Sequence, residues 1–418
     1  MKTRAPAIFT NTLTDKMCHS ITPSMKNLLT RTVWLLGLVS LFTDMASEML
    51  YPIMPLYLES IGFTVLGIGI LEGIAEATAG LSKGYFGKLS DYRARKVPFV
   101  QLGYLLSALS KPLMAAWTAP LWVLVARTAD RLGKGIRTGA RDALLAAEAT
   151  QATRARVFGF HRGMDTLGAA IGPLLALLFL WAYPGYYRTL FLLAVFPGLA
   201  AVGFTLFLKE PAYGAESTAP AAKTGSPGFF SFLKYIPESS LAYRRLLWGL
   251  LAFALVNSSD LFLLLLLKYK GISDSVLIGF YIFYNLVYAL AAFPAGSLAD
   301  RWGLKPTFIS GLLVFAAVYG GMALATDWWQ FGLLFLLYGL YAALTEGVGK
   351  AWISNLAPAG ERATAIGTYE GLRSVTTLLA SSLAGLIWFQ FSPAVLFGVT
   401  AGAVVLIVVY FKWKVLIT

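Results

Sequence analysis

One cysteine and two histidines among 418 residues leave little material for redox or zinc chemistry. Cys18 has no partner for an internal disulfide, and His19 and His161 are too few for a histidine-based site. No metal and no cofactor are therefore expected. Charge is scarce as well: only 13% of residues are ionised, against 57% hydrophobic, with a mean hydropathy of +0.68. That is too little polar surface to cover a water-soluble globule of this length. The apolar runs also lack the ten-residue alternation of a membrane β-barrel, being continuous and rich in Leu, Ala and Gly. The first 30 residues contain no apolar core followed by a small-residue cleavage site, so they read as a cytoplasmic tail and not a signal peptide. No Gly-x-x-x-x-Gly-Lys-Ser/Thr loop is present; Gly133-Lys134-Gly135 sits at the end of an apolar segment and supplies no nucleotide domain. Nor is there a Ser/His/Asp or metal-ligand spacing, which argues against an enzyme, a lipid-modifying one included.

What is abundant is membrane-spanning material. A hydrocarbon core about 30 Å thick takes roughly 20 helical residues to cross, so the chain has room for a dozen spans. Apolar segments fall near 33–57, 64–86, 97–117, 119–140, 157–181 and 188–208. Six more fall near 245–267, 275–298, 306–325, 329–351, 363–388 and 393–413. The expected organisation is a tail (1–30), a six-helix bundle (31–208), a polar cytoplasmic linker (209–244) and a second six-helix bundle (245–418). The fold class is thus an all-α polytopic membrane protein with twelve transmembrane helices in two pseudo-symmetric bundles. The excess of 34 basic over 21 acidic residues is placed asymmetrically. Only Arg188, Lys268 and Lys270 are assigned to outer loops, and Lys111 and Arg127 to span interiors; the others gather on one side. That bias expects both termini in the cytoplasm of a bacterial inner membrane, and explains the charge without nucleic acid. Trp117, Trp122, Trp181, Trp328 and Trp329 fall where spans meet water, as an aromatic belt does.

An internal repeat ties the halves together. Gly87-Lys-Leu-Ser-Asp91 after the second span returns as Gly296-Ser-Leu-Ala-Asp300 after the eighth. Arg154-Ala155 and Gly159 to Gly163 likewise return as Arg362-Ala363 and Gly367 to Gly371. Two bundles related in this way suit alternating access to a central cavity.

At these residues the chain resembles the major facilitator superfamily, over residues 30 to 415. Gly296, Leu298, Ala299, Asp300, Arg301, Gly303 and Lys305 fit its loop signature Gly-x-Leu-Ala-Asp-Arg-x-Gly-x-Lys. The first copy keeps Gly87, Leu89, Asp91, Arg95 and Lys96, with Tyr92 in place of Arg and Ala94 in place of Gly. The resemblance implies a gate in which Asp91 and Asp300 clamp the inner side through charge pairs and a neighbouring helix N-terminus. Arg127, Asp130, Gly133 and Gly135 resemble the family's Arg-x-x-x-Gly-x-Gly element, with Arg131 at the first Gly; the resemblance implies a role for Arg127 in proton transfer. Gly159, Gly168, Gly172 and Pro173 resemble the antiporter motif of the fifth span, whose small residues also serve close helix packing.

Ionisable groups in hydrocarbon cost a few kcal/mol or more each, so they should face a cavity or a partner. Asp44 and Glu48 lie one turn apart in span 1, as do Glu72 and Glu76 in span 2. Two carboxylates in a low-dielectric site rarely stay ionised together, which makes these acids and Asp130 candidates for carrying protons. The alternative is ion pairing with Lys111 and Arg127. Counting along the spans puts Asp44, Glu76 and Asp130 near the bilayer centre. The candidate substrate cavity comprises Lys111, Arg127, Asn257, Asp260, Tyr284 and Asn285. Asp165, His161 and Arg162 are expected in a gate or interfacial network, Glu346 and Lys350 as a local i,i+4 ion pair, and Glu370 and Arg373 against Asp91. The resulting expectation is a single-chain transporter driven by the proton gradient, exporting a small organic solute, or importing a nutrient, siderophore or metabolite by symport.

Overall fold

A computed structural model describes residues 29–210 and 225–415. The expectations on residues 1–28, including Cys18 and His19, and on linker residues 211–224 lie outside the described residues. The described chain is helical throughout. The first bundle consists of α1 (Arg31–Glu48), α2 (Met54–Ser60), α3 (Val65–Tyr92), α4 (Val97–Ala116), α5 (Pro120–Ala147), α6 (Arg154–Ala182), α7 (Tyr187–Leu193) and α8 (Val195–Thr205). A short linker helix, α9 (Tyr235–Glu238), precedes the second bundle. That bundle consists of α10 (Leu241–Val256), α11 (Leu261–Tyr269), α12 (Asp274–Trp302), α13 (Leu304–Leu324), α14 (Trp328–Leu356), α15 (Arg362–Gln390) and α16 (Pro393–Lys414). Pairing α1 with α2, α7 with α8 and α10 with α11 gives twelve spans in two sets of six.

Local chemistry sets the helix ends. Thr30, Thr64, Ser240 and Ser392 each accept a backbone N–H of the first turn through the side-chain oxygen, and Asp327 forms a capping box with Gln330. Between α12 and α13 the chain turns at Gly303, with φ +103°. Its repeat equivalent between α3 and α4 is Ala94, which is held at φ +51°. An L-residue in that left-handed region carries a cost of roughly 1–2 kcal/mol.

Three expected spans are not continuous: span 6 is interrupted at Ala194 alone, and two others break over several residues. Span 1 breaks after Glu48 into a single 3-10 turn, Tyr51–Ile53, and span 7 breaks over Asn257–Asp260. These two breaks stand at repeat-equivalent positions, and each has a carboxylate beside it, Glu48 or Asp260. Hydropathy misses both because the flanking residues stay apolar. Among the described residues, spans five to twelve are long and apolar enough to cross a bilayer on those criteria. The first four fall short because each carries ionisable side chains within the helix: Asp44 and Glu48, Glu72 and Glu76, Lys111, and Arg127 to Lys134.

Within the first bundle, α5 packs on α3 and α4, and α1 on α6; in the second, α14 packs on α12 and α13, and α13 on α16. The bundles meet along α3 with α15 and along α6 with α12. Large apolar side chains such as Trp181, Leu324 and Leu406 are exposed on the outside, the surface that hydrocarbon covers. The long polar helices α3, α5 and α14 extend beyond the expected segments, all on the side of the α8–α10 linker, called the linker face below.

Candidate functional site

The linker face is shut by two repeat-related contacts. A Cβ on Gly87 of α3 would collide with the Ala363 carbonyl of α15 and stand 3.3 Å from the Gly367 Cα. A Cβ on Gly159 of α6 would collide with the Ala292 carbonyl of α12 and stand 3.4 Å from the Gly296 Cα. The glycines of one motif copy therefore seat the backbone of the other motif in the opposite bundle, an approach that a side chain forbids. The motif aspartates complete both contacts. Asp300 accepts from Ala155 N and Arg156 N (both 3.1 Å) and Arg156 Nε (2.8 Å) at the start of α6. Asp91 accepts from Thr364 N (2.6 Å) and Thr364 Oγ1 (2.7 Å) at the start of α15, and pairs with Lys96. A carboxylate at a helix N-terminus meets unpaired N–H groups and the positive end of the dipole. Arg95 and Arg301, expected in this gate, are exposed on the linker face.

Deeper in, ionised groups join the bundles. Lys350 of α14 reaches Asp142 of α5 at 2.7 Å and Glu370 of α15 at 3.3 Å. Glu370 also receives Lys83 of α3 at 3.3 Å. Arg162 of α6 binds Asp165 at 2.6 Å and Glu346 of α14 at 2.8 Å, and Glu346 receives Arg373 at 2.7 Å. Two expectations are corrected here. Glu346 and Lys350 do not pair with each other, because the four-residue step points each to a different neighbour. Glu370 and Arg373 do not meet Asp91, which binds the start of α15 at Thr364, six and nine residues before them. Arg154 Nη1 and Arg362 Nη1, repeat equivalents, each cross to a backbone carbonyl of the other bundle, Ser354 (3.2 Å) and Ala146 (3.4 Å).

Above this closure the bundles part. Nothing lies within 4 Å of where a Cβ would stand on Gly69 and Gly73 of α3 or Gly279 of α12. A cavity in the first bundle is lined by Asp44, Ser47, Glu48 and Tyr51 of the first span and Arg127, Asp130, Arg131, Lys134 and Arg137 of α5, and Tyr281 of the second bundle reaches Glu48 at its edge. Lys134 and Glu76 are exposed although they sit in mid-helix. The second-bundle wall is phenolic. Tyr284 and Tyr338 donate to Asp260 at 2.8 and 2.5 Å, Asn257 donates to the Tyr341 hydroxyl at 3.0 Å, and Tyr281 donates across the bundles to Glu48 at 3.3 Å. Asn285 is buried and donates to the Tyr281 carbonyl.

The expected acids separate into two groups. Glu72 is held by Arg127 at 2.8 Å, Glu76 by Arg131 at 3.1 Å, and Asp130 by Arg127 at 3.4 Å and Lys111 at 3.6 Å. Among the described residues, Asp44 and Glu48 have no such cation within ion-pair distance. Asp44 instead faces a second carboxyl, Asp165. Asp165 also accepts from Ser40 at 2.5 Å. Sequence reasoning missed Lys83, Arg131, Lys134, Arg137, Arg141 and Asp142 as interior groups. Charge alone assigns Arg131 to Arg141 to the inner side, and the clue to their burial is the recurrence of small residues among them, Gly133, Gly135, Gly139 and Ala140. Gly133 and Gly135 let α4 and α3 lie against α5: a Cβ on Gly133 would stand 2.6 Å from the Gly103 carbonyl, and one on Gly135 would overlap Ser82 Oγ. The antiporter-like motif divides its work, with Gly159 against α12 and Gly168 and Gly172 against Met45 and Met49 of the first span. Among the described residues no group of three or more His, Cys, Asp and Glu is placed to hold a metal ion.

Two pseudo-symmetric bundles closed at one face around a polar cavity define a multi-pass membrane transporter. The chain matches the Major Facilitator Superfamily over residues 36–284 and 271–417 and belongs to that superfamily. It is 32% identical over 375 residues to an uncharacterised MFS-type transporter of Methanocaldococcus jannaschii, covering 88% of this chain and 91% of the relative. Solved structures with the same fold include the human organic anion transporter MFSD10, with TM-score 0.73, 17% identity, and coverage of 93% of this chain and 100% of that one. The fucose:proton symporter FucP of E. coli, in the outward conformation, gives TM-score 0.72 at 12% identity, covering 91% and 98%. The protein is thus a transporter and not an enzyme, of a superfamily that works without a cofactor.

Proposed function

We propose that the protein exports a small organic molecule in exchange for protons, working as a single chain in a bacterial inner membrane with the linker face and both termini in the cytoplasm. The observation that carries this reading is the Asp44–Asp165 carboxyl pair. It is adjacent to the cavity on one side and to the closed ionic network on the other: Asp165 is bound by Arg162 at 2.6 Å, while Asp44 has no ion-pair partner among the described residues and can hold or release a proton. Glu72, Glu76 and Asp130, with Lys111, Arg127 and Arg131, serve to hold α3, α4 and α5 together. The substrate occupies the space between Glu48, Arg131 and Lys134 on one wall and Asn257, Asp260, Tyr281 and Tyr284 on the other. Gly87, Asp91, Gly296 and Asp300 form the gate, and Gly168, Gly172 and Pro173 fix the angle between α6 and the broken first span. Outward direction is supported by this antiporter-like packing, and the membrane orientation by the crowding of Lys and Arg at the linker face.

The test uses everted vesicles with an acidic interior, a library of cationic drugs, metal chelates and organic acids, and a pH-sensitive dye. Substrate-dependent proton release by the wild type, lost in Asp44→Asn and Asp165→Asn, is expected. Accumulation of labelled compounds in right-side-out vesicles, with no proton release in everted ones, would replace export by symport.

A further inference from the structure

Four charged groups run in line from the carboxyl pair to the opposite bundle. Asp165 of α6 binds Arg162 at 2.6 Å, Arg162 binds Glu346 of α14 at 2.8 Å, and Glu346 binds Arg373 of α15 at 2.7 Å. Arg162 is the first-bundle end of the contact that crosses between the bundles, and Glu346 is its second-bundle end. We infer that Arg162 is the positioning residue through which protonation of the Asp44–Asp165 pair opens the linker face. The inference rests on the proton-coupled reading above.

The signs alternate along the line, so the closed, water-poor interface is neutral while Asp165 is ionised. A proton taken up on Asp165 leaves Arg162 with Glu346 alone, a carboxylate it shares with Arg373, whose other carboxylate is Glu370 at 3.8 Å. An uncompensated charge in a dry interface is expensive, and the two guanidinium groups now repel. Opening the linker face admits water to both and separates the bundles between Arg162 and Glu346, so it relieves the excess. Deprotonation restores the neutral line and favours closure. A proton bound on the cavity side is thereby expressed at the gate, through a residue that itself never binds it.

Other groups face the same point, and none duplicates the bridge. On α1 these are Asp44 and Glu48, and on α5 Lys134, Arg141 and Asp142. On α6 itself stands His161, buried among Asp142, Asp165, Arg141 and Lys350. Tyr288 of α12 and Glu370 of α15 approach Arg162 from the second bundle. Arg141 binds Asp142 within α5, and Lys350 binds Asp142 and Glu370, so their charges are balanced whatever Asp165 does.

The test places spin labels at Arg93 and Lys412, exposed at the linker-face ends of the two bundles, in the full chain with Cys18→Ser, and measures their separation at pH 5.5 and pH 8. In the wild-type background the open fraction should rise in acid by at least about fivefold, the lower end of coupling between sites. Arg162→Gln removes the excess charge that protonation exposes, so its acid-driven opening should be lost or reversed. Glu346→Gln leaves Arg162 with Asp165 and Arg373 with Glu370 alone, one positive charge in excess along the line even while Asp165 is ionised, and should be open at both pH values, which keeps the test informative if either variant folds poorly. An Arg162→Gln protein that still opens in acid like the wild type overturns the inference while leaving proton coupling intact. A wild type indifferent to pH overturns the proton-coupled reading itself.

Discussion

Replacing Gly159 with alanine should open the linker face while leaving the helices sound. A Cβ on Gly159 would overlap the Ala292 carbonyl and press on the Gly296 Cα at 3.4 Å, both backbone atoms with no rotamer to yield. The helix itself gains, since alanine is favoured over glycine by about 1 kcal/mol in a helix interior. The penalty therefore falls only on the state in which α6 and α12 touch. Overpacking of one methyl group against a well-packed interface costs about 1–3 kcal/mol. Such a change moves the closed–open ratio by roughly 5- to 150-fold. Spin labels at Arg93 and Lys412 would read this as a longer distance, independent of pH. Gly163→Ala is the internal control: its Cβ would meet the Ala289 carbonyl at 3.0 Å, so the neighbour has less to give and the shift should be smaller. An unchanged distance distribution in Gly159→Ala, in protein of unchanged thermal stability, would refute the idea that this glycine contact holds the gate closed.

Ala94→Gly should raise thermal stability by about 1 kcal/mol, because the residue occupies a left-handed conformation that its counterpart Gly303 adopts freely; unfolding in detergent measures it. Lys350→Met leaves Asp142 with Arg141 and Glu370 with Lys83, so the loss of closed state should be below the ~3–5 kcal/mol of an isolated broken buried pair, and Lys350→Met with Glu370→Leu should recover part of it in the same distance measurement. Asp300→Asn weakens the cap on α6 and should cost about 0.5–2 kcal/mol of the closed state, seen as faster backbone hydrogen exchange at Ala155 and Arg156.

Membership of a two-bundle transporter family was legible without a structure. Hydropathy located the spans because burial in lipid acts on each segment by itself, and the repeat of Gly87–Asp91 in Gly296–Asp300 announced two equivalent gates. The resemblance also anticipated that Asp91 and Asp300 would meet helix N-termini. Span breaks at Glu48 and Asp260 were not legible: the first is a 3-10 turn of apolar composition, and at the second four polar residues, Asn257 to Asp260, are too few to interrupt the long apolar segments on either side. Nor was it visible that Ala94 keeps a glycine conformation, which only the backbone angle reveals.

The pairing of charges belonged wholly to tertiary structure. Local spacing suggested Glu346 with Lys350, but helix rotation turns one toward Arg162 and Arg373 and the other toward Asp142 and Glu370. Of the acids first considered together, Glu72, Glu76 and Asp130 found arginines and a lysine on neighbouring helices, whereas Asp44 found a second carboxyl 121 residues away in the chain. The sequence determined roughly where the spans fall and that two like halves must close on each other, because both follow from composition and repetition along the chain. Which acid is neutralised, and which is left to take a proton, depends on the angle at which helices distant in sequence face one another, and only the packed bundles decide that.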